Sequence, residues 1–183
     1  MNFVQPFRDK RLVEDIANYL KKKNDRDYIM FLLGIYTGRR ISDILGLKVG
    51  DVKNKSYLNI KERKTSKMVF LEFNPKLKKA LDEYTKDKDP DDYLIKSRQG
   101  YNRPIHRTTA YKILQEAAFE FNLEDRIGTH TMRKTFGYHF YKQTNDIVTL
   151  QEIFNHNHPS ITLRYIGINT ESINAAIKKF TIF

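Results

Sequence analysis

The apolar pattern of this chain predicts a mainly α-helical fold with one small antiparallel β-sheet. Most segments carry apolar residues three or four apart, the spacing of one helix face. Two neighbouring segments instead alternate apolar and polar residues, as half-buried strands do. No apolar run approaches the roughly 18 residues of a membrane span.

The first residues, through Phe7, read as a lead-in. Over 9–23, Leu12, Ile16, Tyr19 and Leu20 share a face, and the lysines at the end suit a helix C-terminus. Residues 26–36 are almost wholly apolar and predict a buried helix. Gly38 ends it, and a short amphipathic helix restarts over 40–46. Residues 57–61 and 67–73 alternate, with Leu58, Ile60, Val69, Leu71 and Phe73 on one side. The basic stretch 62–66 between them predicts a hairpin with Lys64 near its tip. Pro75 opens a helix to about Tyr84, because proline suits a first helical turn. Residues 87–92 form a loop and Tyr93–Ile95 a short strand. Helices follow over 106–121, 130–142, 146–155 and 160–166, the last stopped by Gly167, and a final helix lies near 171–179. No internal repeat or Gly/Ser linker divides the chain, so residues 1–183 read as one domain.

Composition narrows the function. The formal net charge is +11 and there is no cysteine. Disulfides and thiolate metal sites are thereby excluded, and a reducing cytoplasm is the expected compartment. A basic domain of this size meets polyanions, nucleic acid foremost. A peripheral membrane role fits poorly, since no segment sets a basic face against a Trp/Phe/Leu face. Asp87, Asp89 and Asp91 faintly resemble a calcium loop, but Asp92 stands where glycine is needed and Arg98 where glutamate is needed. His156 and His158 could be half a metal site, yet no further ligand completes a tetrahedral set.

Six residues carry the chemistry: Arg40, Lys64, His130, Arg133, His156 and Tyr165. Two guanidiniums can grip a phosphodiester bidentately. Two imidazoles and a lysine can donate hydrogen bonds and move protons. A tyrosine hydroxyl can attack phosphorus and hold a covalent intermediate. The set has no carboxylate pair, so it reads as phosphoryl transfer without a metal or other cofactor. His130 and Arg133 lie three apart at a helix head, hence on one face, with Thr129 as the expected cap.

The words around them are TGRRISDILGL (37–47), ERKTSKMVF (62–70), HTMRKTFGYHF (130–140) and FNHNHPSITLRYIG (154–167). Together they resemble the phage-integrase family of tyrosine recombinases over nearly the whole chain. In that family the first word is close to T-G-L-R-I-S-E, which matches Arg40. Arg39 replaces the usual leucine and has no role from the resemblance; a DNA contact or a surface position would suit it. Asp43 replaces glutamate and could still buttress the site. Lys64 matches the lysine of a hairpin that enters DNA, with Lys67 next if the register differs. Phe154-Asn155-His156 replaces L-G-H, and Asn155 can take the left-handed conformation that glycine would supply. Tyr165 follows His156 by the family's nine residues.

The resemblance implies a tyrosine recombinase catalytic-domain fold and site-specific DNA recombination. Tyr165 would attack a DNA phosphate, forming a 3′-phosphotyrosyl link and freeing a 5′-hydroxyl. Arg40 and Arg133 would hold the non-bridging oxygens, Lys64 would protonate the leaving oxygen, His130 would assist proton transfer at Tyr165, and His156 would hydrogen-bond the phosphate. Nearby cations are expected to favour the Tyr165 phenolate. The implied partners are double-stranded DNA with inverted-repeat sites and a homotetramer on that DNA. The chain begins almost at the catalytic domain, as a truncated piece or a naturally short single-domain recombinase would; half a clamp would bind DNA less tightly, and an accessory DNA-binding protein is the expected aid. Type IB topoisomerase-like relaxation and a non-catalytic DNA-binding regulator are the alternatives. Ile173, Ala176, Ile177 and Phe180, then Ile182 and Phe183, form a stripe expected to dock on a neighbouring protomer.

Overall fold

The computed structural model describes residues 4–181. Its elements run α1 (Lys10–Lys23), α2 (Asp25–Thr37), α3 (Ile41–Leu45), β1 (Tyr57–Lys61), β2 (Met68–Glu72), α4 (Pro75–Thr85), α5 (Arg107–Glu120), α6 (Thr129–Thr144), α7 (Ile147–Phe154), α8 (Pro159–Ile166) and α9 (Ile168–Lys179). Helix ends follow their local chemistry. Asp9 caps α1 by accepting from the Arg11 amide at 2.8 Å. Asn24 ends α1 and caps α2 by accepting from the Arg26 amide at 3.0 Å. Gly38, Asn145, Asn155 and Gly167 close α2, α6, α7 and α8 in the left-handed conformation, which carbonyl-satisfying helix ends use.

Helix α2 is the central rod. Ile29 to Leu33 are all buried, and α1, α4 and α6 pack around it. Each such buried Leu or Phe contributes about 1.5–3 kcal/mol relative to exposure. Glycine sets the crossing of α2 with α6, since a Cβ at Gly34 would lie 2.6 Å from Met132 Cβ. The two strands pair antiparallel from Tyr57 opposite Glu72 to Lys61 opposite Met68. Leu58 is buried, whereas Met68 and Phe70 face outward. Stacking of Phe70 on Tyr57, with centroids 4.8 Å apart, covers part of that outer face.

Two hydrophobic clusters result. The large one gathers α1 to α5 and Met132 of α6. The small one is Leu150, Phe154, Ile166 and Ile168, with Phe136, Phe140, Leu163 and Tyr165 partly buried against it. Gly137 permits the small cluster, because a Cβ there would stand 2.7 Å from both Ile166 Cγ2 and Phe154 Cζ.

Two local expectations need correction. Tyr93–Ile95 does not form a strand; it makes one isolated bridge, Tyr93 to Lys48, and Lys96 another to Pro104. A single rung offers no neighbouring strand to extend along. The cap of α6 is Gly128, with Thr129 as the first helical residue. The hydroxyl at work is Thr131, which accepts from the Gly128 amide at 3.1 Å while its own amide donates to the Gly128 carbonyl at 2.9 Å. Helix α9 leaves Ile173 and Ile177 exposed, and Phe180 just beyond it is exposed too. The Ala176 side chain, Ile182 and Phe183 lie outside the described residues. No described helix is long and apolar enough to cross a membrane.

Candidate active site

Arg40 is placed by the break between α2 and α3. Gly38 turns the chain at φ +62°, where a Cβ would also strike Phe136. Arg40 then caps α3 in extended conformation, its carbonyl accepting the Ile44 amide at 3.1 Å. Its guanidinium is mostly buried, and Nη1 donates to Glu62 Oε2 at 3.0 Å. Arg39, for which a DNA contact or a surface position was expected, is buried instead. Its Nη1 donates to Glu62 Oε1 at 2.7 Å and its Nη2 to the Ile153 carbonyl. Burial alone would push the Glu62 carboxyl up. The hydrogen bond from Thr65 and the charges of Arg39 and Arg40 outweigh it and hold the carboxyl below its ordinary value. Asp43 is buried too, and its Oδ1 accepts the Arg63 amide at 3.0 Å, steadying the hairpin turn.

Helix α6 presents His130 and Arg133 from its first turn. Arg133 is buried, donating from Nη1 to the Gly38 carbonyl and from Nη2 to the Phe154 carbonyl at 2.9 Å. Its guanidinium lies 4.2 Å from the Phe154 ring centroid. Burial pushes Arg133 down to about 10, which still leaves it charged at neutral pH. Two of its five N–H groups are thus spent on backbone, and the side chain also bonds Tyr165.

Lys64 stands in the turn between β1 and β2. Arg40, Lys64, His130 and Arg133 line one cavity of about 230 Å³, together with Ser42 and Thr129. Arg107, the first residue of α5, lines it as well. The head of α6 adds backbone amides on the same side, favourable to an anion.

Tyr165 lies outside that lining and reaches it through His130, whose Nδ1 is 3.2 Å from the phenol oxygen. His156 lines a separate cavity of about 250 Å³ with Glu62, Lys67 and Asn155. Its ring meets the Tyr165 ring edge-on at 5.4 Å, and its Nδ1 is 3.0 Å from Thr162 Oγ1. Burial, then Arg133 and Arg40, push His156 down to about 4, so it is neutral at pH 7. The direction of the bond between Nδ1 and the Thr162 hydroxyl follows the tautomer of the ring. Burial, then the charges of Arg107, Arg133, Lys134 and Arg40, lower His130 and keep it a base.

Burial raises the Tyr165 pKa; Arg133 and Arg40 favour the phenolate as expected, but burial outweighs them. The free protein therefore holds a protonated phenol beside a neutral imidazole.

The phage integrase family model matches residues 7–172. This chain belongs to the phage integrase family. It is 50% identical over 180 residues to a protein named "Probable integrase/recombinase YoeC" from Bacillus subtilis (strain 168), covering 98% of each chain. The fold is that of a XerA recombinase crystal structure, at TM-score 0.77 and 21% identity over 96% of this chain and 65% of that one. A XerH site-specific recombinase bound to a palindromic difH substrate in a post-cleavage complex gives TM-score 0.74 at 17% identity, over 97% of this chain and 54% of that one. The chain thus spans roughly half to two thirds of these two solved chains.

Glu62, Arg107 and Thr162 escaped notice in the sequence. Glu62 had a usable signal: a cation at Arg39 where the family has leucine calls for a buried anion, and Glu62 is the only acid between Tyr57 and Leu71.

Proposed function

We propose that this chain is a site-specific DNA recombinase that cuts and rejoins strands through Tyr165. The observation that carries the reading is a phenol 3.2 Å from a neutral imidazole, at the edge of a cavity walled by Arg40, Lys64 and Arg133. A bound phosphodiester would account for two arginines and a lysine lining one small space that a phenol and an imidazole adjoin.

In this reading a scissile phosphate enters the cavity and its non-bridging oxygens take hydrogen bonds from Arg40 and Arg133. Those donors stabilise the charge that grows on the oxygens as phosphorus becomes five-coordinate. His130 Nδ1 takes the phenol proton as Tyr165 Oη bonds to phosphorus. The bond to the 5′-oxygen breaks, Lys64 supplies a proton to that oxygen, and a 3′-phosphotyrosyl link remains. His156 hydrogen-bonds the phosphate. Reversal by another 5′-hydroxyl completes exchange with no external energy source. The guanidiniums do the work of a metal, so no divalent ion is required. Residues 1–183 act as one catalytic domain on inverted-repeat DNA in a homotetramer, aided by an accessory DNA-binding protein. The exposed Ile173 and Ile177 of α9, with Phe180 just beyond it, dock on the next protomer.

The test is covalent capture. A nicked duplex carrying the inverted repeats that flank the gene lets the 5′-hydroxyl fragment diffuse away. The wild-type chain should leave an SDS-resistant adduct, and Tyr165→Phe should bind the DNA and leave none. An equal adduct from Tyr165→Phe would overturn the assignment. Joining of two such sites, beyond relaxation of one, separates recombination from topoisomerase action.

A further inference from the structure

We infer that Glu62 is a positioning residue for Arg40, and that Arg39 anchors Glu62 in the buried arrangement where it does so. The inference rests on the recombinase reading of Arg40. Glu62 is 1% exposed and uses both carboxylate oxygens. Oε1 takes Arg39 at 2.7 Å; Oε2 takes Arg40 at 3.0 Å and the Thr65 hydroxyl at 2.6 Å. One buried carboxylate thus joins a cavity guanidinium to the turn that carries Lys64. The turn closes on the same residue, since the Ser66 amide donates to the Glu62 carbonyl and the Glu62 amide to the Lys67 carbonyl, each at 2.9 Å.

Arg39 extends the connection. Its second Nη donates to the Ile153 carbonyl at the end of α7, and His156 begins just beyond that end. Segments 39–40, 62–67 and 153–156 each bring a proposed site residue; this buried pair joins them, and Lys67 also bonds Asn155 directly. A leucine at 39 could fill space there but could not hold the carboxylate. An arginine side chain has several rotamers, so Arg40 without Glu62 would sample positions away from the cavity. An Arg40 fixed before DNA arrives loses no rotamer freedom when the phosphate enters.

Glu62→Gln removes the charge and keeps the shape. Each variant is assayed as the full chain by single-turnover adduct formation on the nicked duplex, and folding is checked by circular dichroism. A second duplex carries a neutral methylphosphonate at the scissile position, which removes the charge that the guanidiniums hold. On the phosphodiester, Glu62→Gln should be slower than wild type by about 10²-fold with DNA affinity unchanged, the loss expected for a catalytic group displaced by about 1 Å. On the methylphosphonate the ratio should shrink to within about threefold, because Arg40 then has less charge to hold. A merely structural role would leave the ratio equal on both substrates, and that result would overturn the inference, as would a wild-type rate on the phosphodiester. Should Glu62→Gln not fold with two cations facing an amide, Arg39→Leu/Glu62→Gln carries one fewer and is compared with Arg39→Leu. Failure of both to fold would mark Glu62 as a folding determinant and also overturn the inference. Absence of any adduct from wild type would refute the recombinase reading itself, and so is distinguishable.

Discussion

Gly137→Ala should separate activity from stability. A Cβ at this position meets Ile166 Cγ2 and Phe154 Cζ at 2.7 Å, about 0.7 Å short of an ordinary contact. Both neighbours are 0% exposed, so neither can swing away. Helices α6 and α8 must therefore part by a comparable distance. Overpacking of this kind costs about 1–3 kcal/mol, and replacing a mid-helix glycine by alanine returns about 1 kcal/mol. The net loss of stability is then small, about 0–2 kcal/mol. The catalytic loss is larger. Tyr165 precedes Ile166, and its phenol sits 3.2 Å from His130. A shift of about 0.7 Å carries that pair past the limit of a useful hydrogen bond, and adduct formation should slow by about 10- to 100-fold. Thermal unfolding and single-turnover capture on the nicked duplex read the two effects side by side. A folded Gly137→Ala that forms adduct at the wild-type rate would refute the claim that this glycine sets the nucleophile's position.

Acid should destabilise the protein through its histidines. His156 is pushed to about 4, and His130 and His139 are also lowered. Below about pH 6.5 the unfolded chain binds protons that the folded chain refuses, so stability falls as pH drops from about 6.5 toward 4. His156→Gln should flatten that fall in a series of melting curves; an unchanged slope would contradict the burial of His156. Cleavage should survive EDTA, and complete loss restored by magnesium would contradict the metal-free mechanism. Deleting residues 171–183 should leave the monomer folded, because the described side chains beyond Ile168 are exposed, while weakening cooperative assembly on paired sites in band-shift titrations. Equal assembly, or an unfolded product, would rule out docking of α9 on a neighbour.

Much of this arrangement was legible in the residues. Helical spacing located α1, α2, α5 and α8, because each buries one face or is buried throughout. Gly38 and Gly167 marked helix ends, and Asn155 takes the left-handed conformation at φ 52° as its side chain permits. The hairpin around Lys64 followed from alternation on both sides of a basic stretch. Three things were not legible. The lone acid at 62 hinted at a buried partner for Arg39, but the shared bond to Arg40 spans more than 20 residues of sequence, and local pattern carries no such distance. The short strand over Tyr93–Ile95 failed because β-branched and aromatic residues also suit a buried loop with one rung. The raised pKa of Tyr165 turns on how much water its ring loses, a quantity set by Phe154, His156 and their neighbours after folding.

Tyr165 rests on the smaller of the two hydrophobic clusters, and Arg133 spans the seam by holding the Gly38 carbonyl on one side and the Phe154 carbonyl on the other. Separately packed units open separately, each at its own free energy. The work needed to withdraw the nucleophile is therefore bounded by the four-residue cluster beneath it, well below that of unfolding the chain. Amide exchange over 147–166 should accordingly run ahead of that in α2. In the proposed reading, Tyr165 can leave its place beside His130 while Arg40 stays held by Glu62.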